Sequence, residues 1–402
     1  MKIRNFFLKL FLFSTTTFTS LFGNNFTVAS YNCGGLSDHY DYIQAAGMQK
    51  LIQERHNSEP ETLAQLKEIQ KLALKIRFTQ NATKKEAFEK EWDEQNYSEK
   101  FSNITSHPDE FKSINKKWFD KRGKTISSYK KRPIEIYDQE VREILYDHIY
   151  DLTKLEESTE LLKDSKVKII PYNAFNESLS IARRIMAVRI FQHHLKYDII
   201  ALQEADYLDP SVFPDNYNVK FSSARGSVDG VAWNKDRFEL VEVIGDIVEK
   251  GFAVRLRDLN SGKIVAIASG HLTGCNPFSV EHDLSTGSSD SESGDRELYE
   301  IINTLNEFES DIQVIAMDAN VTPGHPRLSI LSESNYIIDY TNYIEPTCSS
   351  PWQVLETRID WIAVRSTSDT VSIANIPVLG VCLNCPKTNM SDHKPVAAKI
   401  TY

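Results

Sequence analysis

Apolar and polar residues alternate along this chain with two different periods. Asn25 to Asn32 reads NFTVASYN, a short run rich in β-branched and aromatic side chains that stops at Gly34-Gly35. This predicts a strand followed by a turn. From about residue 45 to 165 the pattern changes. Stretches such as PETLAQLKEIQKLALKI and DQEVREILYDHIYDLTKL carry apolar residues at helical spacing among Lys, Glu and Gln, with Pro60 at a plausible helix start. Asn176 to Leu195 predicts an amphipathic helix, with Leu179, Ile181, Ile185, Val188, Ile190 and Leu195 as its apolar positions. Short strand-like runs then recur at Tyr197 to Glu204, Gly230 to Trp233, Phe238 to Ile247, Phe252 to Leu256, Ile264 to His271, Ile312 to Met317, Arg358 to Val364 and Val396 to Tyr402. Pro277 to Asp295, rich in Ser, Asp, Glu and Gly, reads as a mobile surface loop. Many short strands with intervening helices predict an α/β sandwich of sheets flanked by helices.

Composition narrows this picture. With 402 residues, 41 % of them hydrophobic, the chain can bury a substantial core. A formal net charge of −10 counts against a protein that holds nucleic acid through a basic surface, although a divalent cation in a carboxylate-lined cleft offsets acidity locally. The N-terminus has a basic start, an apolar run from Phe6 to Phe13 interrupted by Lys9, and small polar residues to Gly23. That pattern predicts a signal peptide over 1–23 and export, with a disordered or core-packing segment as the alternative. No stretch reaches the roughly 18 apolar residues of a membrane span. Five cysteines leave at least one thiol outside any intrachain pair. Cys382-Leu383-Asn384-Cys385 is a lone CxxC without a second ligand pair for zinc. It reads as a local disulfide in an exported chain, or as free structural thiols.

Water-driven cleavage of a phosphate ester needs a cation, a base and donors for the transition-state charge. Candidates for each stand at predicted strand ends. Asn32 ends the first strand and Glu204 ends YDIIALQE, an oxygen-only pair suited to Mg²⁺. His271 ends KIVAIASGH. Asp318 and Asn320 follow QVIA two residues apart, which on an extended strand directs both to one face. Asp360 lies in RIDW, and Asp392-His393 lies in SDHKP before the last strand. A histidine beside a carboxylate is oriented for general-base work. Taken singly, each is as compatible with a surface acid or a structural histidine.

Taken together and in order, the blocks SYNCGG, DIIALQE, GVAWNKDRFEL, ASGHL, AMDAN, RIDW and SDHKPV resemble the endonuclease/exonuclease/phosphatase (DNase I-like) superfamily. The resemblance covers roughly 25–44 and 170–402. It implies a four-layer α/β sandwich with two central sheets, formed by 24–44 and 166–402 and interrupted by a mostly helical insertion, 45–165. It implies Mg²⁺, with Mn²⁺ as the second candidate, held chiefly by Glu204 with Asn32 and Asp392 nearby. It makes His393 the general base oriented by Asp360. Asp318 and Asn320 would position water and phosphoryl oxygens, and His271 would donate to the phosphate or leaving oxygen. Met317 and Ala319 replace the usual Gly and Phe of the Asp-x-Asn block and are expected to face away. Cys33, next to Asn32, is expected to point into the core.

The expected activity is a metal-dependent phosphodiesterase. RIDWIAV stands where inositol polyphosphate 5-phosphatases carry Trp-Cys-Asp-Arg, a form nearer to nucleases and sphingomyelinase-like members, and of these a nuclease is slightly favoured. The acidic charge keeps the lipid substrates close. The alternative is an effector that acts on a protein partner through its helical insertion. An ordinary Ser-His-Asp hydrolase is disfavoured by the lack of a Gly-x-Ser-x-Gly elbow. Two sequons, at Asn320 and Asn389, fall in predicted site loops, where a sugar on Asn320 would block the chemistry.

Overall fold

The computed structural model describes residues 24–34, helical positions scattered through 61–100, and 183–402 apart from 224–227, 248–249, 274–291, 324, 342–344, 349–357, 368–369, 384 and 386–387. The expected signal peptide, Pro60, most of the insertion and the first part of the helix expected from Asn176 lie outside these residues. Within 61–100 every described position up to Ile76 is helical, and α1 (Ala82–Glu94) starts at Asn81, whose side chain accepts the Lys84 N–H at 3.0 Å. α1 buries no side chain and carries Lys85–Glu89 and Lys90–Glu94 pairs one turn apart, a solvated surface helix as its charge mixture predicts.

Among the described residues, twelve strands form two six-stranded mixed sheets. They are β1 (Asn25–Asn32), β2 (Ile199–Gln203), β3 (Tyr217–Phe221), β4 (Gly230–Asn234), β5 (Phe238–Ile247), β6 (Gly251–Asp258), β7 (Ile264–His271), β8 (Ile312–Asp318), β9 (Ile337–Ile338), β10 (Asp360–Ser366), β11 (Ser372–Ile376) and β12 (Val396–Thr401). The first sheet runs β11-β12-β1-β2-β4-β3 and the second β5-β6-β7-β8-β10-β9. Although 166 residues separate their ends, β1 and β2 are parallel neighbours, with Asn32 opposite Gln203. Parallel pairing requires a crossover, and the helical residues 183–194 supply its last part.

Strand alternation sorts the core into three layers. Phe26, Val28, Ile199, Ala201, Val265, Ile267, Ile312, Val314, Ala316 and Ile362 pack between the two sheets. Ala29, Tyr31, Cys33, Ile200 and Leu202 turn the other way, onto Met186, Ile190 and Phe191 of the crossover helix. Ala266, Ala268, Ile315, Met317 and Ala319 pack beneath Leu298, Ile301 and Leu305 of α2 (Glu292–Glu307) and Leu328 and Leu331 of α3 (Pro326–Glu333). Three apolar layers between helix, sheet, sheet and helix make the expected four-layer sandwich. Met317, Ala319 and Cys33 face away from the sheet interface, as expected.

Two expectations fail. The loop expected to run to Asp295 ends earlier, because 292–295 already form the first turn of α2. Three strands were not anticipated. β3, β9 and β11 are sheet edges only partly buried, so their sequences lack a strong apolar row. Among the described residues, no helix is long and apolar enough to cross a membrane.

Candidate active site

The rows that pack between the sheets end in polar residues at one edge of the sandwich. Along β8 the inward positions are Ile312, Val314, Ala316 and then Asp318. Along β7 they are Val265, Ile267, Ser269 and then His271. Register places His271 and Asp360 on either side of Asp318, across β7 and β10. Asn32 ends the corresponding row of β1, and His393 enters just before β12. Period two thus converts two apolar faces into one polar cluster at a single edge.

Asp318 is the hub. Its Oδ2 accepts the Asn32 side-chain amide at 2.9 Å and lies 3.7 Å from Nε2 of both His271 and His393, while Oδ1 accepts the Asn320 N–H at 2.9 Å. Burial raises its pKa, helped by the charge of Asp360; His393, His271 and Asn32 act in the opposite direction. Asp360 holds His393 Nδ1 at 3.0 Å, which directs Nε2 toward Asp318. Burial pushes His393 down, but Cys348, Asp360 and Asp318 outweigh it and raise the imidazole well above its usual value. Burial holds the Cys348 thiol up at about 12, so at neutral pH the two carboxylates carry that effect.

Glu204 stands across the cleft, its Oε1 3.2 Å from Asn32 Nδ2 and 3.4 Å from His271 Nε2. It has a left-handed backbone with φ of 49°, which costs on the order of 1 kcal/mol for a residue with a Cβ. That kink ends β2 and takes Glu204 out of the strand alternation. Asn320 is likewise left-handed at φ 51°, so it reaches the site from a turn rather than from the extended strand expected. Its amide donates to Leu272 O at 3.0 Å. Asn32 presents its nitrogen to both carboxylates while its oxygen accepts the Gly34 N–H at 2.9 Å, so it aligns the acids. Asp392, half-buried, groups with Cys348 and His393.

Several supporting residues carried no local signal in the sequence. Gln203 donates to Ser269 Oγ at 2.9 Å and Ala316 O at 3.3 Å, bolting the sheets together one layer beneath the site. Asp229, 2 % exposed, lies beside Glu204. Its pKa is raised well above the ordinary range by burial and then by the Glu204 charge. Buried Arg183 donates to Cys33 O and Gly34 O and lies 3.7 Å from the Tyr207 ring, fixing the turn after Asn32. Arg327, fully buried, ties Asp295, Thr273 O and Ala319 O together, and a Cβ on Gly294 would lie 2.4 Å from its guanidinium. Asn389 accepts from Tyr31 and donates to His393 O and Cys382 O, which leaves its sequon amide engaged in the fold. Cys382 and Cys385 form a disulfide, and Cys33 and Cys348 are free and buried. The Gln203, Asp229, Arg183 and Arg327 connections run between distant segments, so only the folded chain displays them, whereas the Cys382–Cys385 disulfide is the local pairing that the CxxC suggests.

No protein-family sequence profile matches the chain, and no curated protein matches it at a significant level. Solved structures do resemble it. The human Nocturnin catalytic domain with bound sulfate is 17 % identical over 54 % of this chain and 86 % of its own, with a TM-score of 0.39. D. rerio TDP2 in complex with single-strand DNA product is 18 % identical over 55 % of this chain and 91 % of its own, with a TM-score of 0.38. An endonuclease/exonuclease/phosphatase from Bacteroides vulgatus is 15 % identical over 57 % and 94 %, TM-score 0.39. The last bears the same superfamily name as the one the sequence blocks resemble. At TM-scores below 0.5 none of them bears on what this chain binds or cleaves.

Proposed function

We propose that the chain is a divalent-metal-dependent phosphoesterase of the endonuclease/exonuclease/phosphatase type, acting on phosphodiester bonds. The observation that carries this reading is the convergence of Asn32, Glu204, His271, Asp318, Asn320, Asp360 and His393 at one edge of the sheet interface. The donor set fits a hard cation. Glu204 offers a partly exposed carboxylate, and the buried carboxyls of Asp318 and Asp360 stand close by around His271 and His393, an oxygen-rich set suited to a hard cation. Glu204 would hold Mg²⁺, with Asn32 aligning its carboxylate; Asp392, which the resemblance also implies as a ligand, groups instead with Cys348 and His393. The cation, when bound, supplies charge neutralisation for the phosphoryl oxygens.

The chain's own groups do the rest. Asp360 fixes the His393 ring so that Nε2 exchanges a proton with the attacking water. Asp318 and Asn320 orient that water, and His271 donates to a phosphoryl or leaving oxygen. A nuclease is the favoured member of the class; RIDWIAV in place of Trp-Cys-Asp-Arg supports nucleases and sphingomyelinase-like hydrolases alike over inositol polyphosphate 5-phosphatases. The net charge of −10 supports phospholipid headgroups as the second reading. Purified protein is assayed for nicking of supercoiled plasmid in Mg²⁺ and in EDTA, with His393→Ala alongside. Mg²⁺-dependent nicking that vanishes in the variant is expected. Absence of nicking, with turnover of sphingomyelin or phosphoinositide instead, selects the lipid reading, and turnover of none of them overturns the hydrolase. Export is proposed with it, supported by the basic-then-apolar start and the Cys382–Cys385 disulfide; intact mass showing an uncleaved N-terminus would count against it.

A further inference from the structure

Cys348 has no part in the chemistry just described, yet it sits against its centre. The residue is 3 % exposed and forms an isolated antiparallel bridge with His393, and its thiol is hydrogen-bonded to the His393 side chain. Asp392, partly open to solvent, completes a trio whose sulfur, imidazole nitrogen and carboxylate oxygen all lie within 4.8 Å of one another. Ligand atoms around a tetrahedral zinc stand roughly 3.3–3.8 Å apart, given bonds of about 2.0–2.3 Å, so a small inward shift closes the set. Asp360, 3.0 Å from Nδ1, fixes the ring with Nε2 as the available ligand atom, the carboxylate–histidine arrangement that orients zinc-binding imidazoles. The donor type separates this trio from Glu204. Sulfur and imidazole favour a thiophilic ion, whereas an oxygen-only set favours Mg²⁺.

We propose that Cys348, Asp392 and His393 form a second cation site, selective for Zn²⁺ over Mg²⁺, whose occupancy withdraws His393 from proton transfer and switches hydrolysis off. The site stands on its own geometry; the switch rests on the hydrolase reading above. Binding displaces the thiol proton to solvent and leaves a thiolate ligand, with a fourth position open to water.

Co²⁺ is a spectroscopic stand-in for Zn²⁺, and it shows a near-ultraviolet charge-transfer band only when a thiolate is bound. The full chain is titrated with Co²⁺ without thiol reductant, so that Cys382 and Cys385 stay paired. The band is expected in the native chain and in Cys275→Ser, removed by one equivalent of Zn²⁺, and absent in Cys348→Ala. Zn²⁺ affinity by competition should fall at least about tenfold in that variant, since even outer partners of a metal site carry about 10–100-fold. Cys348→Ser serves where Cys348→Ala fails to fold. No band in the native chain, or a band that survives loss of Cys348, overturns the site. In Mg²⁺, turnover of bis(p-nitrophenyl) phosphate should be at least about tenfold less sensitive to Zn²⁺ in the Cys348 variant than in the native chain, and equal sensitivity overturns the switch. The spectrum needs no turnover. A Cys348-dependent band in an inactive protein therefore sinks the hydrolase reading, and the switch with it, while leaving the site standing.

Discussion

The two ends of the sandwich treat buried acids in opposite ways. At the end away from the cleft, Asp258 closes β6 fully buried and is held by both Nε and Nη2 of Arg237, by the Tyr402 hydroxyl and by the Asn260 N–H. Burial opposes its ionisation, but these donors and the Arg237 charge outweigh it and hold the carboxyl below its ordinary range. Asp198 at the same end accepts from both the N–H and hydroxyl of Thr27. At the other end of the same strands, Glu204, Asp318 and Asp360 face histidines and one another, and Asp318 is raised by burial and by Asp360. One end spends its acids on holding the fold. The other sets them against histidines and one another, with no arginine among the hydrogen-bonding partners of Asp318 and Asp360 described above. Both arise from the same alternation along the same strands, so burial alone does not distinguish a structural acid from a working one; the fixed partners do.

The largest effect is expected from breaking the site end at its proton carrier. His393→Ala should lower turnover of the cleaved phosphodiester by about 10²–10⁴-fold per folded molecule, as a lost general base does, and should also lower the melting temperature, because it leaves the buried Asp360 carboxyl without its partner. Asp360→Asn should lose about 10²-fold, and the double variant should lose scarcely more than His393→Ala alone, because Asp360 acts through the ring it holds at 3.0 Å. Additive losses in single-turnover kinetics would show that the two act separately.

The opposite break comes next in size. Asp258→Ala strips Arg237 and Tyr402 of their shared partner and should destabilise the fold by about 3 kcal/mol, the lower end for a buried pair because Arg237 remains partly exposed. Activity per folded molecule should stay unchanged. The sign with pH follows from the depressed carboxyl. Its stabilisation is present above the unfolded value, near pH 4, and is lost as pH falls through the folded one, so the native and Asp258→Ala melting curves should converge in acid. Divergence on acidification would contradict the pairing.

How far the sequence carried this contrast differs by end. Asn32, His271 and Asp318 were legible because each ends a strand, and period-two alternation preserves which face the last residue takes; Glu204 just after β2, Asp360 at the start of β10 and His393 just before β12 were legible only through the short blocks that contain them. β5 and β7 appear with the bounds their patterns predict. Asn320 was placed rightly near the site for the wrong reason, since a left-handed turn carries it there. The partners were not legible. Arg237 lies between two strands and finds Asp258 across a hairpin, Arg327 joins three segments, and Asp229 meets Glu204 only after β4 folds against β2. Edge strands β3 and β11 escaped because half-exposed strands carry a weak pattern.

A cation should tell the ends apart without any change at the far one. Mg²⁺ at about a hundred times its dissociation constant stabilises a one-site protein by about 2.7 kcal/mol. The native chain and Asp258→Ala should therefore show the same upward shift in melting temperature on adding Mg²⁺, reversed by EDTA, and Glu204→Gln should show little. Equal shifts in all three proteins would place the cation elsewhere.

The smallest predicted effect has the sign that most tests the contrast. Asp229 is buried beside Glu204, its Oδ1 has no hydrogen-bond partner, and its pKa is raised by burial and then by Glu204. A carboxyl raised in the folded state costs stability as pH climbs above the unfolded value, because the unfolded chain ionises freely and the folded one does not. The neutral isostere Asp229→Asn should therefore raise stability at pH 7 by about 1 kcal/mol, a melting shift of roughly 1 °C for a chain of this length, and the gain should vanish below about pH 4. Asp258→Asn, the same chemical change at the other end, should lower stability at pH 7 and also converge with the native protein in acid. If both substitutions destabilise at neutral pH, Asp229 belongs with the structural acids, and the backbone turn at Glu204 depends on its charge.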